Sequence, residues 1–82
     1  MNSTFLIYGK KNCSNCNKIK KICIDNKKDF EYKELNIDFK RKDFEWFWKS
    51  VEIKQYPIIR YNGIYISYHL FNKVYLDTFL SV

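Results

Sequence analysis

Cys13 and Cys16, separated by two residues, fall where an apolar run gives way to a helical pattern. The run Thr4-Phe5-Leu6-Ile7-Tyr8 reads as a buried strand. Gly9 breaks it, Lys10-Lys11-Asn12 carry the chain over a short loop, and Cys13-Ser14-Asn15-Cys16 open a helix. A thiol placed there faces unpaired backbone N–H groups and the positive end of the helix dipole, which favour its thiolate. Such positions lower a cysteine pKa to roughly 3.5–7.5, and the thiolate is the nucleophile of disulfide exchange. A second cysteine one turn further in can attack the mixed disulfide and release the product. The pair therefore suits dithiol–disulfide exchange.

Metal binding is the competing reading. A structural zinc site usually needs four ligands, and only Cys23 and His69 could add to the pair. Cys23 follows Cys16 by seven residues, two helical turns, so it can share a face with Ile19 and Ile22 and serve as a small core residue. His69 stands alone on the approach to the last helix and reads as a surface residue. No metal site and no tightly bound cofactor is expected. A zinc or iron–sulfur module held through Cys13, with Cys16 or a second subunit, stays as the alternative.

Eighty-two residues make one small domain, 1–82, near the size where burial only just offsets chain entropy. Seven Phe, seven Tyr and two Trp supply the bulk for a core in a chain without alanine. Three unevenly spread cysteines do not make a secreted disulfide framework, so a reducing, cytoplasmic location is expected. The N-terminus shows no basic stretch followed by a longer apolar run, and no window approaches the ~20 apolar residues of a membrane span. The +6 charge invites a nucleic-acid reading, but thirteen lysines against two arginines weigh against it, because arginine is the bidentate reader of phosphate and guanine. The clusters Lys10-Lys11 and Lys18-Lys20-Lys21 flank the cysteines, where they would stabilise a thiolate and draw an anionic partner. Lys40-Arg41-Lys42 reads as a solvated face. An interaction protein that docks through its basic, aromatic surface is a third reading.

Ser14 to about Asn26 is amphipathic, with Ile19, Ile22 and Cys23 as its apolar stripe and Asn17, Lys18, Lys20 and Lys21 facing water. Phe30 to Ile37 alternates as a second strand, parallel to the first across a right-handed helical crossover. Asp38 is the expected cap region of a helix over Lys40–Val51, where Phe44, Phe47 and Trp48 fill the core. Trp46, Phe47 and Trp48 are consecutive, so they cannot all point inward. Gln55 to Tyr61 forms a third strand with Pro57 at its start, Asn62-Gly63 a two-residue hairpin turn, and Ile64–Ser67 the antiparallel return. Tyr68 to about Leu80 closes as a helix carrying Leu70, Phe71, Val74, Tyr75, Phe79 and Leu80. The expected architecture is α/β, a four-stranded mixed sheet in the order β-α-β-α-β-β-α with helices on both faces. Pro57 sacrifices a ladder hydrogen bond. Spacing alone leaves a cis and a trans Tyr56–Pro57 bond equally open.

A Cys-x-x-Cys opening the first helix, this strand order, a strand begun by Gln55-Tyr56-Pro57 and an Asn62-Gly63 hairpin together resemble the glutaredoxin branch of the thioredoxin-like fold. The resemblance spans Phe5 to Leu80. It implies a monomeric dithiol oxidoreductase that reduces protein or glutathione mixed disulfides, with glutathione as reductant. Cys13 would be the exposed nucleophile and Cys16 the resolving thiol. Lys10 and Asn15 would contact glutathione, Pro57 would be a cis-proline against the redox pair, and the Tyr56 backbone would pair with the substrate.

Ser14-Asn15 stand where most of that family has Pro-Tyr, and Gln55-Tyr56-Pro57 replaces Thr-Val-Pro. Ser67 and Tyr68 occupy the positions of a Gly-Gly that binds glutathione's γ-glutamyl end, with no acidic residue close behind. That last departure favours a close variant, the glutaredoxin-like hydrogen donor of ribonucleotide reductase, which takes its electrons from a thioredoxin reductase.

Overall fold

Four short strands form one mixed sheet in a computed structural model that describes residues 5–51 and 54–81. They are β1 (Leu6–Gly9), β2 (Glu31–Glu34), β3 (Ile58–Tyr61) and β4 (Ile64–Ser67). Helix α1 (Ser14–Asp25) links β1 to β2, and a 3-10 turn (Arg41–Phe44) leads into α2 (Glu45–Ser50). A last helical run over residues 68–81, α3, follows β4 directly. The spatial order is β2-β1-β3-β4, with β1 parallel to β2 and antiparallel to β3. The expected α/β class, strand order and mixed sheet are all present. The expectation for Thr4 lies outside the described residues.

Register explains how the sheet divides the core. Ile7 pairs with Ile59, and Ile59 with Ile66, so these three share one face. Ile19 and Cys23 of α1 and Phe71 and Phe79 of α3 pack there, with Phe5 stacked on Phe79 at a centroid distance of 4.4 Å. Tyr8 and Ile58, paired one register step on, point to the opposite face. Phe39, Phe44, Phe47 and Trp48 cover that side, together with Cys13, Cys16 and Tyr56. Helices thus lie on both faces, and the two cysteines belong to the α2 side. Among the described residues no helix is long and apolar enough to cross a membrane.

Local chemistry shifts several boundaries. The second strand stops at Glu34 rather than running to Ile37, because Asn36 takes φ 70° and the chain turns. Asp38 serves this turn, not the next helix: its carboxylate accepts from Glu34 N at 2.8 Å. Ile37 is consequently 70% exposed. The helix expected from Lys40 opens as a 3-10 turn, and Asp43 accepts from Lys40 N at 2.9 Å in the capping role foreseen for Asp38. The third strand begins only after Pro57. The α3 run widens into a π-helical stretch over Phe71–Tyr75, which leaves Leu70 and Val74 exposed while Phe71 and Phe79 point inward. Phe44, Phe47 and Trp48 are buried as expected, and Trp46 is the outward ring of its triplet, 54% exposed. Asn62 and Gly63 both take positive φ, 54° and 80°, as a two-residue hairpin turn of the primed kind requires.

Candidate functional site

The loop after β1 turns at Asn12, with φ 53°, and delivers Cys13 to the N-cap of α1 in an extended conformation. Cys13 Sγ accepts from Cys16 N at 3.1 Å, and Asn17 N donates to Cys13 O at 3.1 Å. The sulfur thus takes the place of the Ser or Asp oxygen that usually caps a helix. Cys13 and Cys16 are joined as a disulfide, with Cα atoms 5.2 Å apart. Once the bond is reduced, the same N–H groups and helix dipole favour a thiolate on Cys13.

The two sulfurs differ in access. Cys16 is fully enclosed, whereas Cys13 keeps 8% of its surface. Cys13, expected to be exposed, is therefore recessed, because rings from α2 and from the segment before β3 wall it in. Behind the pair, Gly9 meets Cys16 so closely that a Cβ there would stand 2.8 Å from its sulfur. Tyr32 occupies the rest of that space. Its hydroxyl donates to Lys10 O at 3.3 Å, and Lys20 Nζ sits 4.0 Å from its ring centroid. Burial, and then the Glu34 charge, push the Tyr32 phenol up, so it stays a neutral donor that ties β2 to the loop.

In front of Cys13 opens a cleft of about 320 Å³. Tyr56 O lies 3.9 Å from Cys13 Sγ, and the Tyr56–Pro57 bond is cis, the isomer the resemblance implies. Asn15 Nδ2 donates to Gln55 Oε1 at 3.4 Å, closing one side. Lys10 Nζ stands 5.7 Å from the Tyr56 ring centroid, and the Arg41 guanidinium 5.6 Å from that of Trp48. Burial raises the Tyr56 phenol, and the Arg41 charge partly offsets it.

Of the residues foreseen, Lys10, Cys13, Asn15 and Tyr56 line the cleft together, with Cys16 and Pro57 buried beside them. Ser67 sits opposite Ile58 in the β3–β4 ladder, one residue from Pro57, but its Oγ accepts from Leu70 N at 3.2 Å. Tyr68 packs against the core of the other face. Neither lines the cleft. Gln55 of the Gln55-Tyr56-Pro57 strand opening lines it too, and so do Arg41, Trp48 and Lys54, which nothing in the sequence pattern ties to the cysteines. Arg41 was visible only as part of a basic cluster, and Lys18, Lys20 and Lys21 of the other clusters do not reach the cleft.

Cys23 is fully buried, and burial pushes its thiol up to about 11, as suits an unreactive core residue. Among the described residues no group of three or more His, Cys, Asp or Glu could hold a metal ion. No protein-family model matches the chain, and no curated protein matches it in sequence.

Proposed function

We propose that this chain is a glutaredoxin-like thiol–disulfide oxidoreductase of thioredoxin-like fold, reducing protein or glutathione mixed disulfides through Cys13 and Cys16. The observation that carries the reading is the disulfide itself, built with its less buried sulfur at a helix N-cap and 3.9 Å from Tyr56 O at the mouth of a cleft. The reduced form would act in two exchanges. The Cys13 thiolate attacks a substrate disulfide; a Cys13–substrate bond forms and the other substrate sulfur leaves as thiolate, taking a proton from water. Cys16 then gives up its proton and attacks Cys13 Sγ, which closes the intramolecular disulfide and frees the second substrate sulfur as a thiol. Two electrons have passed from the dithiol to the substrate. Glutathione, two molecules per turn and oxidised to its disulfide, returns them.

One observation favours the thioredoxin reductase-fed variant that serves ribonucleotide reductase. The segment Ser67-Tyr68 is committed to capping and core packing and stays out of the cleft, which leaves glutathione's γ-glutamyl end without its usual seat.

The test couples the protein to hydroxyethyl disulfide and NADPH, once with glutathione and glutathione reductase and once with thioredoxin reductase. Turnover in one arm, its loss in Cys13→Ser, and a mixed disulfide trapped by Cys16→Ser and seen by mass are the expected results. Wild-type protein inert in both arms would overturn the proposal.

A further inference from the structure

The resolving exchange asks an enclosed sulfur to carry charge. Cys16 is fully buried, and it must become a thiolate before it can attack Cys13. Among the described residues no charged side chain is buried, so no enclosed carboxylate or imidazole stands beside it to steady that charge. The first turn of α1 serves the other sulfur, since Cys16 N already donates to Cys13 Sγ. One polar group does reach Cys16. The point where a Gly9 Cβ would stand is 2.8 Å from Cys16 Sγ and 2.5 Å from the Tyr32 hydroxyl, so sulfur and hydroxyl flank a single methyl-sized notch. Tyr32 also packs against the cluster that contains both cysteines.

Resting on the reading of Cys13 and Cys16 as a redox pair, we propose that the Tyr32 hydroxyl is the hydrogen-bond donor to the Cys16 thiolate in the resolving exchange, and that glycine at position 9 lets the two meet. The hydroxyl's present bond, to Lys10 O, is long at 3.3 Å, and rotation about the C–O bond carries the same hydrogen to sulfur. Lys20 Nζ, 4.0 Å from the ring centroid, draws electron density from the ring and strengthens the O–H as a donor. Burial, and then the Glu34 charge, keep the phenol protonated, so it offers the thiolate a hydrogen rather than a second negative charge. The other phenols of the cluster are engaged elsewhere, Tyr8 with Tyr65 and Arg60, Tyr56 beneath Lys10. In the step itself Cys16 loses its proton to water and its sulfur bonds to Cys13 Sγ. The Cys13–substrate bond breaks with its electron pair on the departing sulfur.

Such a donor has a signature that packing alone lacks. Favouring the thiolate by about one pH unit raises its fraction about tenfold, but the less basic sulfur is about threefold less nucleophilic, since exchange rates follow thiol basicity with a coefficient of about 0.4–0.5. The net gain is about threefold below the midpoint of the pH profile, and it becomes a loss above it.

The experiment mixes reduced protein with dithiobisnitrobenzoate in a stopped flow. Attack by Cys13 releases one thionitrobenzoate in a bimolecular phase, and closure by Cys16 releases a second in a phase independent of reagent concentration. The mass of the product separates closure from any reaction at Cys23, which would leave the aromatic group on the protein. Tyr32→Phe should close about threefold more slowly at neutral pH, with its midpoint about one pH unit higher, so that the two profiles cross. Lys20→Gln, which keeps the ring and its packing, should fall between them. Superimposable profiles, or a Tyr32→Phe profile lowered in parallel at every pH as a structural loss would give, overturn the role of Tyr32 and leave the redox pair standing. Wild-type protein that releases no second thionitrobenzoate overturns the exchange reading itself, and this step with it.

Discussion

Gly9 lies against Cys16 with no room for a side chain: a Cβ on Gly9 would stand 2.8 Å from the Cys16 sulfur and 2.5 Å from the Tyr32 hydroxyl. Both distances are shorter than real Cβ atoms tolerate. The sulfur cannot retreat, since Cys16 is fully buried on its helix and bonded to Cys13. Gly9→Ala should therefore cost about 1–3 kcal/mol, the range of overpacked cores. Urea unfolding with an unchanged slope would report it. Adding Tyr32→Phe removes the nearest atom, so the double variant should lose less than the sum of the singles. Strict additivity would mean that the crowding is relieved elsewhere.

This contact also marks where the sequence stops being readable. The Cys-x-x-Cys spacing, Ile19 and Cys23 of the α1 stripe and the Asn62-Gly63 turn are local signals, and each appears in the structure at the expected place, whereas Ile22, expected in the same stripe, stays only half buried and outside the core. Gly9 reads as a strand breaker, yet it is the last residue of β1, paired with Glu34, and Tyr32, which crowds it, is remote in sequence. Arg41 stayed hidden for a related reason. The 3-10 turn that replaces the first turn of the expected helix positions it over Trp48, and no periodicity announces that. Trp48 itself was foreseen as core and is core, yet one edge of it lines the cleft. A burial pattern cannot separate those two duties. Alternation in the sequence continues past Glu34 to Ile37, whereas Asn36 and the Asp38 carboxylate end the strand.

The two tryptophans should respond differently to truncation. Trp48 is buried with rings of Phe47 and Tyr56 at 5.6 and 5.2 Å, so Trp48→Ala should cost about 3–5 kcal/mol. Trp46 is half exposed, packs edge-on to Tyr65 at 5.3 Å and donates from Nε1 to Asp43 O. Its loss should cost only about 1 kcal/mol, the worth of an aromatic pair and a surface hydrogen bond. Comparing the urea midpoints of the two alanine variants checks the order, and equal destabilisation would contradict this packing.

Gly63 isolates a backbone effect. Its φ is 80°, and a Cβ there would meet nothing within 4 Å. Gly63→Ala should thus cost roughly 1–2 kcal/mol from left-handed strain alone, without any clash. For a domain of this size each kcal/mol lowers Tm by roughly 4–8 °C. A thermal scan showing no loss would mean that the hairpin tolerates a different turn, as a register slip at the edge strand β4 would allow.

Cys23 gives the chain a pH-dependent term with a definite sign. Burial raises its thiol from the ordinary 9.0 to about 11, so across that interval the unfolded chain has released a proton that the native chain retains. Native stability from this group is complete below about pH 8.5 and declines as pH climbs toward 11, with a slope of at most about 1.4 kcal/mol per unit. With Cys13 and Cys16 held as their disulfide, Cys23 is the only thiol that titrates. Cys23→Ala removes the term and leaves every lysine and tyrosine in place, so their contributions largely cancel in the difference between the two proteins. The variant should be less stable at pH 7, because a small cavity opens beside Ile19, and its deficit should narrow between pH 9 and 11. Urea unfolding at pH 7, 9 and 10.5 measures that gap. A gap that stays constant, or native Cys23 that alkylates readily at pH 9, would show the thiol to be reached by water.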